Sequence, residues 1–384
     1  MPIWLPVFNH SSVEPQLDYS EFRKILCEIR KTASAPLSVC ITIKRTVTGP
    51  SIENSRANTQ TKKMEDAIRQ SLVRALTSSP KHIPTWYNYD DVGSELQFQC
   101  TTDIPDYYLC KSDRALLENR IQDIIPRVPY DVALVDLGSG NCSKTRLVID
   151  ELLTRQNSLT FYPLDISEEF LLKSMKKLSE EYDDSLIIKP IAANYVQGID
   201  NLKQITGPKI ILWFDSIINL SYDDQVDTLR LISTMMSDKC RLVFSADVTL
   251  DREEVLNAYN DDAGVMQRFI SYAMTRLNKE AGSNIDLARF TYEVDFISYH
   301  DPQSMSYVRA YIRANEDIRY TLPGLGIDLE MEKGECLYFH EGDGFSCKYS
   351  LEQLRTIVEK AGLRLAESVS VEQRHAAFCV CTAV

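Results

Sequence analysis

The segment Asp131-Val132-Ala133-Leu134-Val135-Asp136-Leu137-Gly138-Ser139-Gly140 decides the fold of this chain. Its run of branched apolar side chains is typical of a strand that is buried on both faces in a parallel sheet. The segment ends in an acid and a Gly-Ser-Gly turn, and Asn141-Cys142-Ser143-Lys144-Thr145-Arg146 then opens an amphipathic helix. A strand, a tight turn and a helix N-terminus together allow a nucleotide-like ligand to lie against bare backbone.

The two glycines of this turn are the first candidate ligand-binding residues. Gly138 and Gly140 have no Cβ, so a ligand can approach the backbone closely and the turn can adopt positive φ angles. The third glycine of the dinucleotide fingerprint would fall at Ser143, so a mononucleoside fits this turn better than a dinucleotide does. S-adenosylmethionine is therefore the candidate cofactor, although many turns of this kind hold no ligand.

The composition is that of a globular protein with an acidic surface. The chain has 384 residues, of which 44% are apolar and 25% are charged, and its net charge is −13. This charge argues against nucleic acid or an anionic membrane as a partner. No apolar run reaches the roughly 18 residues of a membrane span. We therefore expect a small-molecule ligand, and the sequence leaves the oligomeric state open.

The cysteines bear on the cellular compartment. The chain has ten of them, scattered along its length, which favours reduced thiols and a cytoplasmic location over a disulfide framework. Cys379 and Cys381 are too close together for an ordinary metal or redox pair, and we expect no metal site. The apolar residues 1–8 lack a basic region and precede a polar stretch, so we interpret them as an ordered arm rather than a targeting segment.

Strands and helices alternate along the middle of the chain, which predicts an α/β fold with a doubly wound, Rossmann-like parallel sheet. The predicted strands are 131–137, 158–164, 186–192, 209–214 and 240–246, and one long helix is predicted at 252–279. We divide the chain into an N-terminal extension (1–63), a cofactor-binding core with a helical segment before it (64–280), a smaller β-rich substrate cap (281–350) and a C-terminal return to the core (351–384).

Polar residues follow the predicted strands at the edge where open sheets bind ligands. Asp165 ends the second strand, and an acid at this corner can accept hydrogen bonds from a ribose diol. The alternative is that Asp165 only caps the next helix. Asn194 and Tyr195 follow the third strand and are candidates for contact with an adenine ring. Asp215 and Asn219 follow the fourth strand and face the same edge.

Tyr89, Tyr107 and Tyr259 are candidate substrate residues, because each lies in an acid-rich polar segment. The chain contains 19 tyrosines, so a structural role is the more common alternative for any one of them. Only a fold that gathers the three at one sheet edge would give them a shared function.

Several sequence blocks occur in an order that resembles one known family. They are Tyr89-Asp90-Asp91-Val92-Gly93-Ser94, Pro105-Asp106-Tyr107-Tyr108, Leu137-Gly138-Ser139-Gly140 with Ser143-Lys144-Thr145-Arg146, Ile218-Asn219-Leu220, Ala258-Tyr259-Asn260-Asp261-Asp262-Ala263-Gly264-Val265 and Ser346-Cys347-Lys348. The chain resembles the histidine-specific S-adenosylmethionine-dependent methyltransferases over about residues 64–384. This family includes the enzyme that makes hercynine from histidine and the fungal dimethylallyltryptophan N-methyltransferases.

The resemblance implies a class I methyltransferase sheet and a role for each matching residue. Gly138 and Lys144 would contact the cofactor, Asp165 its ribose, and Asn194 and Tyr195 its adenine, where the family usually has Asp-Phe. Tyr107 would hold the substrate amino acid. Asn219 and Tyr259 would bind its carboxylate, Ser346 would also contact the substrate, and Tyr89 would lie near the reacting amine.

The chain departs from the family at two places in the substrate site. Where the histidine enzymes have Gly-Ser-Thr-Ile-Gly-Asn, this chain has Phe214-Asp215-Ser216-Ile217-Ile218-Asn219, which adds a carboxylate. The glutamate that binds the imidazole in the family falls at Gly344, and Glu341 or Asp343 is a candidate substitute. Without an imidazole partner, selectivity for histidine should fall, because an unpaired buried polar group costs about 1–3 kcal/mol.

These observations predict in-line N-methylation of the amino group of an amino acid or related small amine, with Tyr89 and Asp215 bordering the reacting nitrogen. One alternative is a histidine Nα-methyltransferase in which Glu341 replaces the missing glutamate. Another is an NAD-dependent oxidoreductase, which the missing third glycine disfavours. A binding module without activity is a further alternative, disfavoured by the retained Gly138, Asp165 and Asn219. The number of methyl groups transferred stays open.

Overall fold

The structure is a computed structural model that describes residue 66 and residues 68–342, 344–372 and 374–384. The predicted extension 1–63 and the side chain of Asp343 therefore lie outside the described residues. The helices are α1 (68–77), α2 (Asp91–Asp103), α3 (Leu109–Ile124), α4 (Thr145–Leu153), α5 (Glu168–Tyr182), α6 (Tyr195–Leu202), α7 (Tyr222–Ser233), α8 (Arg252–Tyr259), α9 (Val265–Glu280) and α10 (Leu351–Lys360).

The strands fall into a main sheet, a smaller sheet and a hairpin. They are β1 (Lys81–His82), β2 (Ala133–Leu137), β3 (Leu159–Asp165), β4 (Leu186–Ile188), β5 (Ile191–Ala192), β6 (Lys209–Trp213), β7 (Arg241–Asp247), β8 (Phe290–Ile297), β9 (Ser306–Ala314), β10 (Ile318–Leu322), β11 (Ile327–Met331), β12 (Cys336–Tyr338), β13 (Cys347–Lys348), β14 (Leu363–Val371) and β15 (Arg374–Ala383).

The main sheet has the strand order β14-β15-β7-β6-β2-β3-β4, and β5 also pairs with β3. Strands β7, β6, β2, β3 and β4 run parallel, whereas β15 is antiparallel to both of its neighbours. Every residue of β6 is buried, as expected for a strand of a parallel sheet that is covered on both faces. The sequence prediction of a doubly wound, Rossmann-like α/β sheet is therefore confirmed.

The predicted long helix at 252–279 is wrong, because the structure divides it into α8 and α9. Gly264 adopts a left-handed φ of 65° at the start of α9. The Asp261 carboxylate accepts hydrogen bonds from the backbone N–H groups of Val265 and Met266, each at 2.8 Å. The break places Tyr259 at the C-terminal end of α8, facing the cap.

The predicted strand at 186–192 is two short strands, because Lys189 and Pro190 interrupt it. Proline has no backbone N–H and fixes its own φ, so it interrupts the ladder. Strands β4 and β5 each pair in parallel with β3. The hairpin strand β11 was not predicted, although its residues alternate between apolar and acidic side chains.

The smaller sheet has the order β1-β12-β9-β13, with β8 also paired to β9. Strands β8, β9, β12 and β13 lie between α9 and α10 in the chain, and β1 joins them from before α2. The backbone N–H of Tyr349, directly after β13, donates to the carbonyl of Asp247 at the end of β7 (2.9 Å). The Tyr349 hydroxyl donates to the carbonyl of Ile217 (3.2 Å). These bonds attach the small sheet to the carboxyl edge of the main sheet. Among the described residues, no helix is long and apolar enough to cross a membrane.

Candidate active site

The glycine turn after β2 is fixed to the end of β3. Gly138 and Gly140 adopt φ angles of 85° and 51°, which favour glycine. The backbone N–H groups of Gly138 and Ser139 donate to the Leu164 carbonyl at 2.8 and 3.1 Å. The Gly140 N–H donates to Asp165 Oδ2 at 3.1 Å. The turn that the sequence singled out is thus a rigid feature of the sheet edge.

Asp165 lies under this turn and also fixes the residues just before α5. It is 2% exposed, and its second oxygen, Oδ1, accepts the Ser167 N–H at 3.0 Å. Ser167 is the N-cap of α5, and no side chain of the described residues caps that helix. A carboxylate has further lone pairs for a diol, and the role of Asp165 in ribose binding stays a prediction. The Ser139 hydroxyl is buried and has no hydrogen-bond partner among the described residues. An orphaned hydroxyl beside this acid fits a site that receives a polar ligand such as an adenosine ribose.

Asn194 and Tyr195 lie at the start of α6, beside the same turn. The Asn194 side chain caps the helix by accepting the Gln197 N–H at 3.0 Å. The Tyr195 hydroxyl donates to the Leu137 carbonyl at 3.3 Å, directly before the first glycine. Both residues therefore border the predicted cofactor site, and their contact with adenine stays a prediction.

Lys144 joins two carboxylates rather than pointing freely toward the turn. Its Nζ lies 2.8 Å from Asp113 Oδ2 and 2.6 Å from both oxygens of Asp215. Burial disfavours the charge on Lys144, but the two carboxylates outweigh burial and raise its pKa. Burial raises the pKa of Asp113. Burial also opposes the ionisation of Asp215, but the attraction of Lys144 together with hydrogen bonds from Asp113, Lys144 and Ser245 outweighs it and lowers the pKa of Asp215. Asp215 is therefore the anionic member that faces the site.

The Asp215 backbone is strained, with a φ of 57° that L residues rarely adopt. Its N–H donates to the Ser245 hydroxyl at 2.9 Å, and its carbonyl accepts the Asn219 side-chain amide at 3.1 Å. Strained backbone of this kind costs about 1–3 kcal/mol and clusters at functional sites. The conformation fixes Asp215 and Asn219 in one short loop, as the sequence predicted for this sheet edge.

The three candidate tyrosines come together beside this loop. The rings of Tyr107 and Tyr259 meet edge to face at 5.9 Å, and Tyr89 packs on Phe269 at 5.6 Å. Burial, reinforced by the other phenols, raises the pKa of Tyr107 well above its usual value. The Tyr107 hydroxyl thus stays a neutral hydrogen-bonding group among these rings.

Cys110, at the start of α3, connects the tyrosines to the charged loop. Its thiol has a pKa raised to about 12, chiefly by burial, with a smaller contribution from Asp215 and an opposing one from Lys144. The same thiol interacts electrostatically with Tyr89 and Tyr107. The phenols and the Lys144–Asp215 ion pair therefore surround one small region of the molecule.

A buried network on the cap side holds Tyr259. Its hydroxyl lies 2.5 Å from the Ser346 hydroxyl, and Lys348 Nζ lies 3.2 Å from Ser346 and 3.4 Å from Tyr259. Lys348 is fully buried and forms an ion pair with Asp247 at 3.0 Å. This pair keeps the ammonium charged in spite of burial, so its pKa is raised.

Glu341 and Asp343 are the two candidates to replace the missing imidazole-binding glutamate, and the structure describes Glu341 alone. Glu341 accepts hydrogen bonds from Arg309 at 2.7 Å and from Tyr307 at 3.2 Å, which commits its carboxylate to an ion pair in the cap. Asp343 lies outside the described residues. A Cβ at Gly344 would lie 2.0 Å from Thr85 Oγ1, so this backbone position has no room for a side chain.

Sequence reasoning missed four groups that the structure brings into the site: Asp113, Cys110, His340 and the ammonium of Lys348. Asp113 and Cys110 extend into the site from α3. Asp113 is a polar residue on the buried face of that helix, and this is the feature of the sequence that could have identified it. His340 reaches it from the loop after β12, and its ring lies edge to face with Tyr259 at 6.1 Å. No group of three or more potential metal ligands occurs among the described residues.

Comparison with known proteins agrees with this geometry. The family described as "Histidine-specific methyltransferase, SAM-dependent" matches residues 68–383. The chain is 25% identical over 300 residues to the histidine N-alpha-methyltransferase of Mycolicibacterium smegmatis, covering 78% of this chain and 89% of that protein. It is 24% identical over 328 residues to the 4-dimethylallyltryptophan N-methyltransferase easF of Trichophyton verrucosum, covering 82% and 93%.

Among solved structures, the CcbJ methyltransferase of Streptomyces caelestis is 13% identical with a TM-score of 0.35, covering 69% of this chain and 92% of that one. The family match covers most of the chain and therefore distinguishes between the alternative functions that the sequence left open. It favours a SAM-dependent N-methyltransferase over an NAD-dependent oxidoreductase, with S-adenosylmethionine as the cofactor. The chain belongs to the histidine-specific, SAM-dependent methyltransferase family.

Proposed function

We propose that this enzyme methylates the amino group of an aromatic amino acid or a closely related amine. The observation that carries this proposal is that Tyr89, Tyr107 and the Asp215 carboxylate all interact electrostatically with the Cys110 thiol, while Tyr259 packs edge to face on Tyr107. Aromatic faces suit a nitrogen that gains positive charge as methyl groups accumulate. A carboxylate held in its anionic form beside them suits an amine that must be oriented by a hydrogen bond.

The substrate carboxylate is assigned to the cap side of the pocket. The hydroxyls of Tyr259 and Ser346 share one short hydrogen bond and lie near the Lys348 ammonium. The Asn219 side-chain amide carries a second N–H besides the one that donates to the Asp215 carbonyl. Together these donors suit a carboxylate, and binding it there leaves the amino group directed toward Tyr89 and Asp215.

Methyl transfer to the amine requires alignment of the reacting groups more than chemical activation of them. The cofactor supplies an electrophilic methyl group when it is bound. The protein's part is to hold the neutral nitrogen in line with that group, and such positioning is worth several kcal/mol. Asp215 accepts a hydrogen bond from the amine and so orients it, and the proton of the amine leaves to water. Its ion pair with Lys144 fixes the carboxylate in one orientation.

The first test is turnover of a panel of amino acids and amines with S-adenosylmethionine, with mass detection of each added methyl group. We expect Asp215→Asn to lower kcat by about 100-fold. The affinity for S-adenosylhomocysteine should change much less, because the glycine turn and Asp165 are untouched. Asp184→Asn, at an exposed position before β4, is the matched control and should behave like the native enzyme.

Equal kcat in the Asp215 variant would remove this residue from the reacting centre. The panel also tests the second candidate, histidine Nα-methylation, which the named activity of the Mycolicibacterium smegmatis relative favours. The commitment of Glu341 to Arg309 and the lack of space at Gly344 weigh against it. A cytoplasmic location stays a prediction, supported by the unpaired state of the cysteines in the described part of the chain.

A further inference from the structure

His340 is a buried histidine in the loop that follows β12. It is 5% exposed, and its ring lies edge to face with the ring of Tyr259 at 6.1 Å. Tyr259 is in turn bound to Ser346 and lies beside Lys348. His340 thus belongs to the wall of the pocket on the side that receives the substrate.

The Nδ1 atom of His340 is buried and has no hydrogen-bond partner among the residues that the structure describes. Leaving a buried polar atom unpaired is unfavourable, and native structures contain few such atoms. Burial, with a further contribution from the Lys348 ammonium, lowers the pKa of His340 to about 3. The ring is therefore neutral at physiological pH, and in the tautomer with hydrogen on Nε2 the free Nδ1 is an acceptor.

The surroundings of His340 favour a neutral partner over a cationic one. The charged group that acts on the pKa of His340 is the Lys348 ammonium, which is already paired with Asp247 and repels a second cation. The carboxylate of Glu341 is engaged by Arg309, and Gly344 cannot carry a side chain because Thr85 occupies that space. A protonated imidazole or an ammonium therefore finds no counterion beside this ring among the described residues.

We propose that His340 is a specificity residue that accepts a hydrogen bond from a neutral N–H or O–H group on the aromatic ring of the substrate. This inference rests on the proposed function and deepens it. The chemistry selects indole and phenol side chains, each of which carries one uncharged ring donor. It disfavours phenylalanine, which has no such donor, and the cationic form of histidine.

The test compares matched pairs of amino acids that differ in the ring donor alone. Tryptophan is paired with 1-methyltryptophan, and tyrosine with phenylalanine, and kcat/KM is measured for each. We expect the native enzyme to prefer the donor-carrying member of at least one pair by about tenfold or more. The pair that shows the preference distinguishes an indole substrate from a phenol substrate.

Two variants connect the preference to the ring nitrogen. His340→Phe keeps the ring volume and removes the acceptor, so the preference should fall to about onefold. His340→Gln keeps an acceptor oxygen and should retain part of the preference. A merely structural role would lower kcat/KM for both members of a pair and leave their ratio unchanged. Thermal melting and S-adenosylhomocysteine binding check that each variant is folded.

An unchanged ratio in His340→Phe, or the absence of any preference in the native enzyme, overturns the assignment of His340. If no member of either pair is methylated, the proposed function fails for these amines. The His340 assignment is then decided by calorimetric binding of the same pairs to the S-adenosylhomocysteine complex. Tighter binding of the donor-carrying member that disappears in His340→Phe supports it, and equal binding or none overturns it.

Discussion

Asp136, at the end of β2, is a carboxyl group whose ionisation opposes folding. It is 3% exposed, and burial raises its pKa from 3.8 to about 7, with a smaller contribution in the same direction from Asp165. The Thr145 hydroxyl donates to its Oδ2 and partly offsets this effect. A raised pKa in the folded state means that the protonated form is the more stable one there.

We therefore expect Asp136→Asn to stabilise the enzyme at alkaline pH and to have less effect in acid. The contribution of the native carboxyl is fully present below about pH 4 and is lost as the pH rises through about 7. The gain in unfolding free energy at pH 8 has an upper limit of about 4 kcal/mol, set by the size of the pKa shift. Melting temperatures of both proteins between about pH 5 and about pH 8 check this.

The control for this prediction is Asp184→Asn, which changes an exposed carboxyl and should shift the melting curve equally little at every pH. The amide oxygen introduced by Asp136→Asn can still accept the Thr145 hydroxyl, so a general loss of packing is not expected. A stability difference between native and variant that stays constant with pH would show that Asp136 is already ionised in the folded protein at low pH.

The site residues that the sequence predicted are those with a local signal. The glycine turn and Asp165 follow directly from the end of a strand, and the structure places them at one sheet edge. Asp113 had a weaker signal, as a polar residue on the buried face of α3, and His340 had none, because their partners lie far away in the chain. Asp113 meets Lys144 31 positions later, and only the packing of α3 on the sheet reveals the pair.

At the scale of elements, buried strands were predicted best. Strands β2, β3, β6 and β7 were each located to within about two residues, because burial on both faces leaves a continuous apolar run. The break between α8 and α9 was missed because periodicity continues across it. The Asp261 carboxylate caps α9 by accepting two of its N–H groups, and hydrophobic periodicity gives no indication of such a cap.

This helix cap leads to a prediction about the contribution of Asp261 to stability. Its two oxygens accept the N–H groups of Val265 and Met266, so Asp261→Ala leaves two donors at the start of α9 unpaired. Loss of such a cap costs about 1 kcal/mol, and the melting temperature should fall by about 2–4 °C. Asp262→Ala, at the exposed neighbouring position, should leave it nearly unchanged. Equal melting temperatures for the two variants would mean that the cap contributes nothing to stability.

At the scale of the whole molecule, a buried ion pair joins the small sheet to the main sheet, in addition to the hydrogen bonds of Tyr349. Lys348 lies in β13 and Asp247 ends β7, and neither is more than 1% exposed. The Tyr108 hydroxyl and the Thr249 N–H also donate to Asp247, each at 3.0 Å. The same ammonium reaches Ser346 and Tyr259, so the attachment of the cap and the substrate pocket depend on one charge.

This arrangement predicts different outcomes for stability and activity. Lys348→Met leaves the Asp247 carboxylate buried without its cation, and the unfolding free energy should fall by about 3–5 kcal/mol. The double variant Asp247→Asn with Lys348→Met removes both charges and should recover most of that loss. Its kcat/KM should stay low, because Tyr259 and Ser346 no longer have the ammonium that orients their hydroxyls toward the substrate carboxylate.

Denaturant unfolding and steady-state kinetics on the same preparations separate these effects. Lys81→Met is the control, since it breaks the partly exposed ion pair of Lys81 with Glu335 in the same small sheet and should cost less than about 1 kcal/mol. If the double variant recovered turnover together with stability, Lys348 would serve only to attach the cap. If Lys348→Met alone were as stable as the native enzyme, the buried pair would not hold the two sheets together, and the substrate pocket would need another explanation for its rigidity.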